Sequence, residues 1–180
     1  LKSSGVIDAY RAKHDDFESA KVIDFLLRDR DNASSVMAVM KKARDSARTA
    51  RTALTREVWE ATNESWMTLK SAMAKPVKEQ DLPETLGLIR QQSALVRGAT
   101  LGTMLRNDGF NFLRMGSFLE RADSTARILD VKYYLLLPSV ALIGSSVDNV
   151  QWETILRSVS AHRSFRWLNG TDAPRRSPTI

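Results

Sequence analysis

The chain has 180 residues, a formal net charge of +6, 43% hydrophobic residues and 27% charged residues. These proportions allow a substantial core and exclude global disorder. With only 8 Gly, 5 Pro and no Cys, we expect an all-α fold without disulfides, and a reducing compartment such as the cytoplasm.

The first two predicted helices are short. Asp8 to His14 is polar, whereas Phe17 to Leu27 places most of its apolar residues on one side, which indicates contact with a core. A polar turn at 28–32 follows. Asn32 or Ser34 is predicted to cap the helix after it.

A long helical pattern covers 34–73, with a break predicted near Thr55. Its apolar positions recur with the helical period and predict one buried side. Steps of four and three place a basic stripe beside them, formed by Arg44, Arg48 and Arg51.

The next helix is predicted to begin in a capping box, with Asp81 as the cap and Glu84 in the third position. It runs from Leu82 to about Arg106. A turn signal at 107–109 then restarts the chain.

The most informative stretch is the predicted long helix at about 110–136. It is apolar on two flanks, which predicts that other helices enclose it at the centre of a bundle of about five to six helices. Steps of three, four and three place four charged residues on one stripe of it: Glu120, Asp123, Arg127 and Asp130.

Buried charges need partners, so we expect Asp123 to pair with Arg127 and the basic stripe to face the carboxylates. One interpretation is a structural network that fixes helix register, and another is a ligand or partner site. Carboxylate metal binding is a third. His14 and His162, the two histidines, lack metal-ligand spacing, so we expect no metal and no cofactor.

The last predicted helix covers about 150–168, with a cap offered within Ser146 to Asn149. We expect a single helical domain at 1–170 and an irregular tail at 171–180. The longest apolar run, 133–144, is interrupted by Pro138 and is too short for a membrane span. Basic and acidic residues are interleaved, so nucleic-acid binding, which rests only on the net charge, is the weaker alternative function.

The residues 107–127, centred on Phe118-Leu119-Glu120-Arg121-Ala122-Asp123, resemble the alpha-E domain family. This is a family of predicted all-helical bacterial proteins named for a Glu-Arg motif. The resemblance runs in order from Phe17 to Leu168, and further matching segments are 28–35, 54–60, 130–138, 151–152 and 156–161. It implies that Glu120 and Arg121 are the family's Glu-Arg pair.

The resemblance also implies partners, because members are encoded beside or fused to ATP-grasp ligases and transglutaminase-like proteins. We therefore expect a non-catalytic accessory domain of a peptide ligation or modification system. The alternative is an enzyme for a peptide or small anionic substrate. Its site would be the Glu120, Asp123 and Arg127 stripe, with the three arginines orienting the anion.

This chain differs from the family pattern in two respects, and one is that the segment after Gly170 does not follow it. Members carry an earlier Glu-Arg helix near the N-terminus, whereas this chain has a single Glu-Arg pair. We therefore expect an N-terminal helix of the family to be missing. The first residue is Leu1 rather than Met, which favours numbering that begins inside a longer protein.

Overall fold

The computed structural model describes residues 1–2, 4–132 and 143–169, and every regular element in these ranges is helical. The predicted all-α fold is confirmed. The helices are α1 (Ile7–Arg11), α2 (Ser19–Leu27), α3 (Val36–Thr49), α4 (Arg56–Ala72), α5 (Leu82–Thr103), α6 (Asp108–Asp130), α7 (Ser146–Ser158) and α8 (His162–Asn169).

The chain divides into two compact units, Leu1–Ser117 and Phe118–Ile180. Within the first unit, α4 packs against both α3 and α5, and within the second unit α7 contacts α8. The single domain at 1–170 stays a prediction, and the predicted tail at 171–180 lies outside the described residues.

The core of the first unit forms around α4. Leu69 and Met73 lie one helical turn apart and pack with Leu27 and Val77, as the apolar period predicts. A second cluster joins α1 to α2 through Val6, Tyr10 and Phe25. A third contains Val58, Met104 and Phe110.

The predicted break in the 34–73 pattern is confirmed. The helix α3 ends at Thr49, a 3₁₀ turn occupies Arg51–Ala53, and Leu54 is extended. Thr55 then caps α4, because its Oγ1 accepts a hydrogen bond from the Val58 amide at 3.4 Å.

The predicted helix caps are only partly correct. Ser35, not Asn32 or Ser34, caps α3 by accepting a hydrogen bond from the Ala38 amide at 3.2 Å. Asn32 is engaged elsewhere, since its Nδ2 donates to the Phe25 carbonyl at 3.0 Å. Asp81 precedes α5 as predicted, but its side chain makes no capping hydrogen bond.

The absence of a side-chain cap at Asp81 has a local cause. A 3₁₀ turn, Glu79–Asp81, leads directly into α5, so Asp81 has near-helical backbone angles of φ −91° and ψ −5°. Side-chain capping requires an extended backbone at the cap position.

The last predicted helix is two helices. Ser160 has a φ of 58°, which a continuous helix does not permit, and the chain turns between α7 and α8. Ser145, just before the predicted cap range, caps α7 by accepting from the Asp148 amide at 3.2 Å. The two breaks account for eight helices in the described ranges rather than five or six.

Candidate functional site

The charged stripe predicted from the sequence lies on α6, in its second-unit part. Glu120, Asp123, Arg127 and Asp130 are all exposed to solvent. The expectation that neighbouring helices bury this part of α6 is wrong, because the helical period shows which residues share a face but not whether another element covers it.

The predicted pair within the stripe is confirmed. Arg127 Nε donates to Asp123 Oδ2 at 2.7 Å, one turn away on the same helix. This hydrogen bond raises the pKa of the Arg127 guanidinium, and the negative charges of Asp123, Glu120 and Asp130 raise it further. One guanidinium therefore compensates several carboxylates locally.

Arg121, the second residue of the Glu-Arg pair, lies beside an aromatic ring. Its Cζ is 5.8 Å from the centroid of Phe118, three residues earlier on α6. A guanidinium over an aromatic face is attracted by the ring electrons. Half of Phe118 is exposed.

Large apolar side chains are exposed along α6. In the first-unit part, Phe112 is 68% exposed and Met115 is 51% exposed. In the second-unit part, Phe118 and Leu119 are also exposed. Exposed apolar groups of this kind mark interaction surfaces when they lie close together.

The basic stripe predicted from the sequence lies in the first unit. Arg44 is half-buried on α3, whereas Arg48 and Arg51 are exposed. Arg44 and Arg51 both lie against Trp59 of α4, with Cζ to ring-centroid distances of 6.0 and 5.3 Å. The pairing of these arginines with the α6 carboxylates stays a prediction.

The turn at 28–32 is a hydrogen-bonded network rather than a simple polar turn. Lys13 Nζ donates to Asp29 and to Asp31, at 2.9 and 2.7 Å. Burial alone would raise the pKa of Asp29. Hydrogen bonds from Lys13 and from the amides of Asp31 and Asn32 outweigh burial and lower it.

Sequence reasoning missed a buried ion pair in the second unit. Lys132 Nζ donates to Asp148 Oδ1 at 2.5 Å and to Gln151 Oε1 at 2.8 Å. Burial would raise the pKa of Asp148, but the hydrogen bonds from Lys132 and the Gly144 amide lower it. The sequence feature that could have indicated this pair is Lys132, a charged residue directly before the apolar run that begins at 133.

Within the described ranges, no three His, Asp or Glu side chains are grouped so that they could hold a metal ion. Across the same ranges, no helix combines the length and apolar character needed to cross a membrane.

A family model described as a predicted alpha-helical domain with a conserved ER motif matches residues 1–177. No curated protein matches the chain, and no solved structure does. The match covers nearly the whole sequence, including the Glu120-Arg121 pair.

Proposed function

Because the chain belongs to the Alpha-E family, we propose that it is a non-catalytic accessory domain of an ATP-grasp-linked peptide ligation or modification system. The proposal is that it binds the ligase, with a transglutaminase-like protein as a further partner. The exposed apolar surface of α6 is the observation that carries this proposal.

Phe112 and Met115 supply the strongest support. They lie three residues apart and therefore on one face of α6, and more than half of each side chain is exposed. An amphipathic or apolar helix face with anchors at this spacing is a recurring way to bind a partner groove.

The charged stripe also supports an accessory role over catalysis. Asp123 is held by Arg127 at 2.7 Å, and the pair is exposed, as surface pairs on helices commonly are. A catalytic carboxylate would be expected in a desolvated cleft, where its pKa is strongly perturbed.

The test is a tagged pull-down of the full-length protein from its native cells, with bound proteins identified by mass spectrometry. We expect an ATP-grasp ligase with the wild-type chain and its loss with the double variant Phe112→Gln/Met115→Gln. Met67→Gln is the matched control, since Met67 on α4 is exposed to a similar extent, 55%.

Two results would overturn the proposal. One is the absence of any ATP-grasp ligase among the proteins recovered with the wild type. The other is equal recovery with the double variant, which would show that α6 does not form the binding surface.

A further inference from the structure

The C-terminal end of α3 carries a concentrated positive charge. Arg44, Arg48 and Arg51 follow at steps of four and three, which places them on one side of the helix and its 3₁₀ extension. Within the described residues of the first unit, none of the three forms an ion pair. Their positive charge therefore remains available to an anionic partner.

Trp59 positions two of these guanidiniums. Arg51 Cζ lies 5.3 Å and Arg44 Cζ 6.0 Å from the indole centroid. Arg44 is further fixed because its Nε donates to Asn63 Oδ1 at 2.8 Å. Side chains that are already ordered lose less entropy when they bind a ligand.

Two ion pairs form among the charged residues of α3 and α4 in this region. Lys41 Nζ donates to Asp45 at 2.6 Å on α3, and Arg56 Nε donates to Glu60 at 2.6 Å on α4. The hydrogen bond from Lys41 lowers the pKa of Asp45, and the charges of Arg48 and Arg44 lower it further. Asp45 therefore interacts electrostatically with Arg44 and Arg48 but accepts its hydrogen bond from Lys41.

We propose that Arg44, Arg48 and Arg51, the first and last of which lie against Trp59, bind an acidic peptide segment of another protein. A guanidinium donates two parallel hydrogen bonds to a carboxylate, and three guanidiniums on one side suit successive Asp or Glu side chains. The positive charge of this surface therefore favours a negatively charged peptide as its partner.

A nucleic acid fits this surface less well. Base stacking needs a free aromatic face, and the Trp59 ring already has two guanidiniums beside it.

This surface uses different residues from Phe112 and Met115 of α6. The result of the acidic-peptide binding assay therefore does not depend on whether the pull-down recovers a ligase. The two experiments use different residues and different readouts.

The test is fluorescence anisotropy of a fluorescein-labelled decaglutamate titrated with the purified full chain. We expect saturable binding that Arg48→Gln weakens about tenfold, as the loss of one charge-assisted contact would. Arg51→Gln is a second variant with the same expectation, and far-UV circular dichroism checks that each variant is folded.

Lys42→Gln is the matched control. Lys42 is exposed on α3, but at about 100° per residue it lies about 160° around the helix from Arg44. Removing this charge leaves affinity nearly unchanged if the arginine surface is the binding site.

Three results would overturn the proposal. The first is no saturable binding of decaglutamate by the wild type. The second is an equal loss of affinity in Arg48→Gln and Lys42→Gln, which indicates nonspecific attraction. The third is tighter binding of a single-stranded decathymidylate through the same arginines, which identifies a nucleic-acid surface.

Discussion

Lys132 and Asp148 form a buried ion pair, with Nζ to Oδ1 at 2.5 Å and exposed fractions of 0% and 2%. The Gly144 amide donates to the other carboxylate oxygen of Asp148 at 2.9 Å. Lys132 also lies 5.4 Å from the Trp152 ring centroid. The pair links the chain just after α6 to the first turn of α7.

Replacing Lys132 with Met should destabilise the second unit strongly. Asp148 would keep its buried position without its cationic partner, which costs about 3 kcal/mol or more. Urea unfolding followed by circular dichroism measures the change. The variant Lys132→Met/Asp148→Leu should recover much of the loss, since it removes both charges. A single variant as stable as wild type would contradict a buried pair.

The acid sensitivity of the first unit should depend on Asp29. Its folded-state pKa is lowered, so its carboxylate stabilises the fold above the unfolded-state pKa of about 4. This stabilisation is lost as the pH falls below that value and through the lower folded-state pKa.

Thermal unfolding between acidic and neutral pH tests this expectation. Asp29→Asn should lower the melting temperature at neutral pH and flatten its decline in acid. Asp31→Asn is the matched control, because Asp31 also accepts from Lys13 but is mostly exposed. Parallel curves for wild type and Asp29→Asn would contradict the role of Asp29.

Ser35 should matter more for stability than its neighbour Ser34. Ser35 is fully buried, its Oγ donates to the Asp29 carbonyl at 2.6 Å, and it caps α3. Ser35→Ala should therefore cost about 1–2 kcal/mol. Ser34→Ala, at an exposed position, should cost much less in the same urea titration. Equal losses of unfolding free energy in the two variants would contradict Ser35 as the cap and favour Ser34.

Arg48 separates two possible roles of the basic stripe. The side chain is exposed, so Arg48→Met should change the unfolding free energy by about 0.5 kcal/mol or less. Urea unfolding tests this, with Lys42→Met as the control. A clearly larger loss for Arg48→Met alone would instead support the predicted pairing with the α6 carboxylates.

Local patterns predicted several features correctly. The Asp123–Arg127 pair forms as predicted because both residues lie on one helix, four positions apart. The break near Thr55 was also predictable, since a cap with good hydrogen-bonding chemistry interrupts the helical pattern there. Both features depend on neighbours within a few residues.

Other features could not be predicted from neighbours. Lys132 and Asp148 are sixteen residues apart, and Trp59 meets Arg44 and Arg51 only because α4 packs against α3. The choice of Ser35 over Ser34 as a cap also depends on the fold, because the Ser35 hydroxyl donates a hydrogen bond to the Asp29 carbonyl.

The sequence by itself determined the all-α fold, most helix positions and the family, because the helical period, capping chemistry and the Glu-Arg segment are local properties of the chain. Tertiary structure alone decided which helix faces are covered. It left the α6 stripe exposed, buried the Lys132–Asp148 pair and placed two arginines beside Trp59. Burial and contact depend on elements far apart in sequence, and their meeting follows from packing across the whole unit.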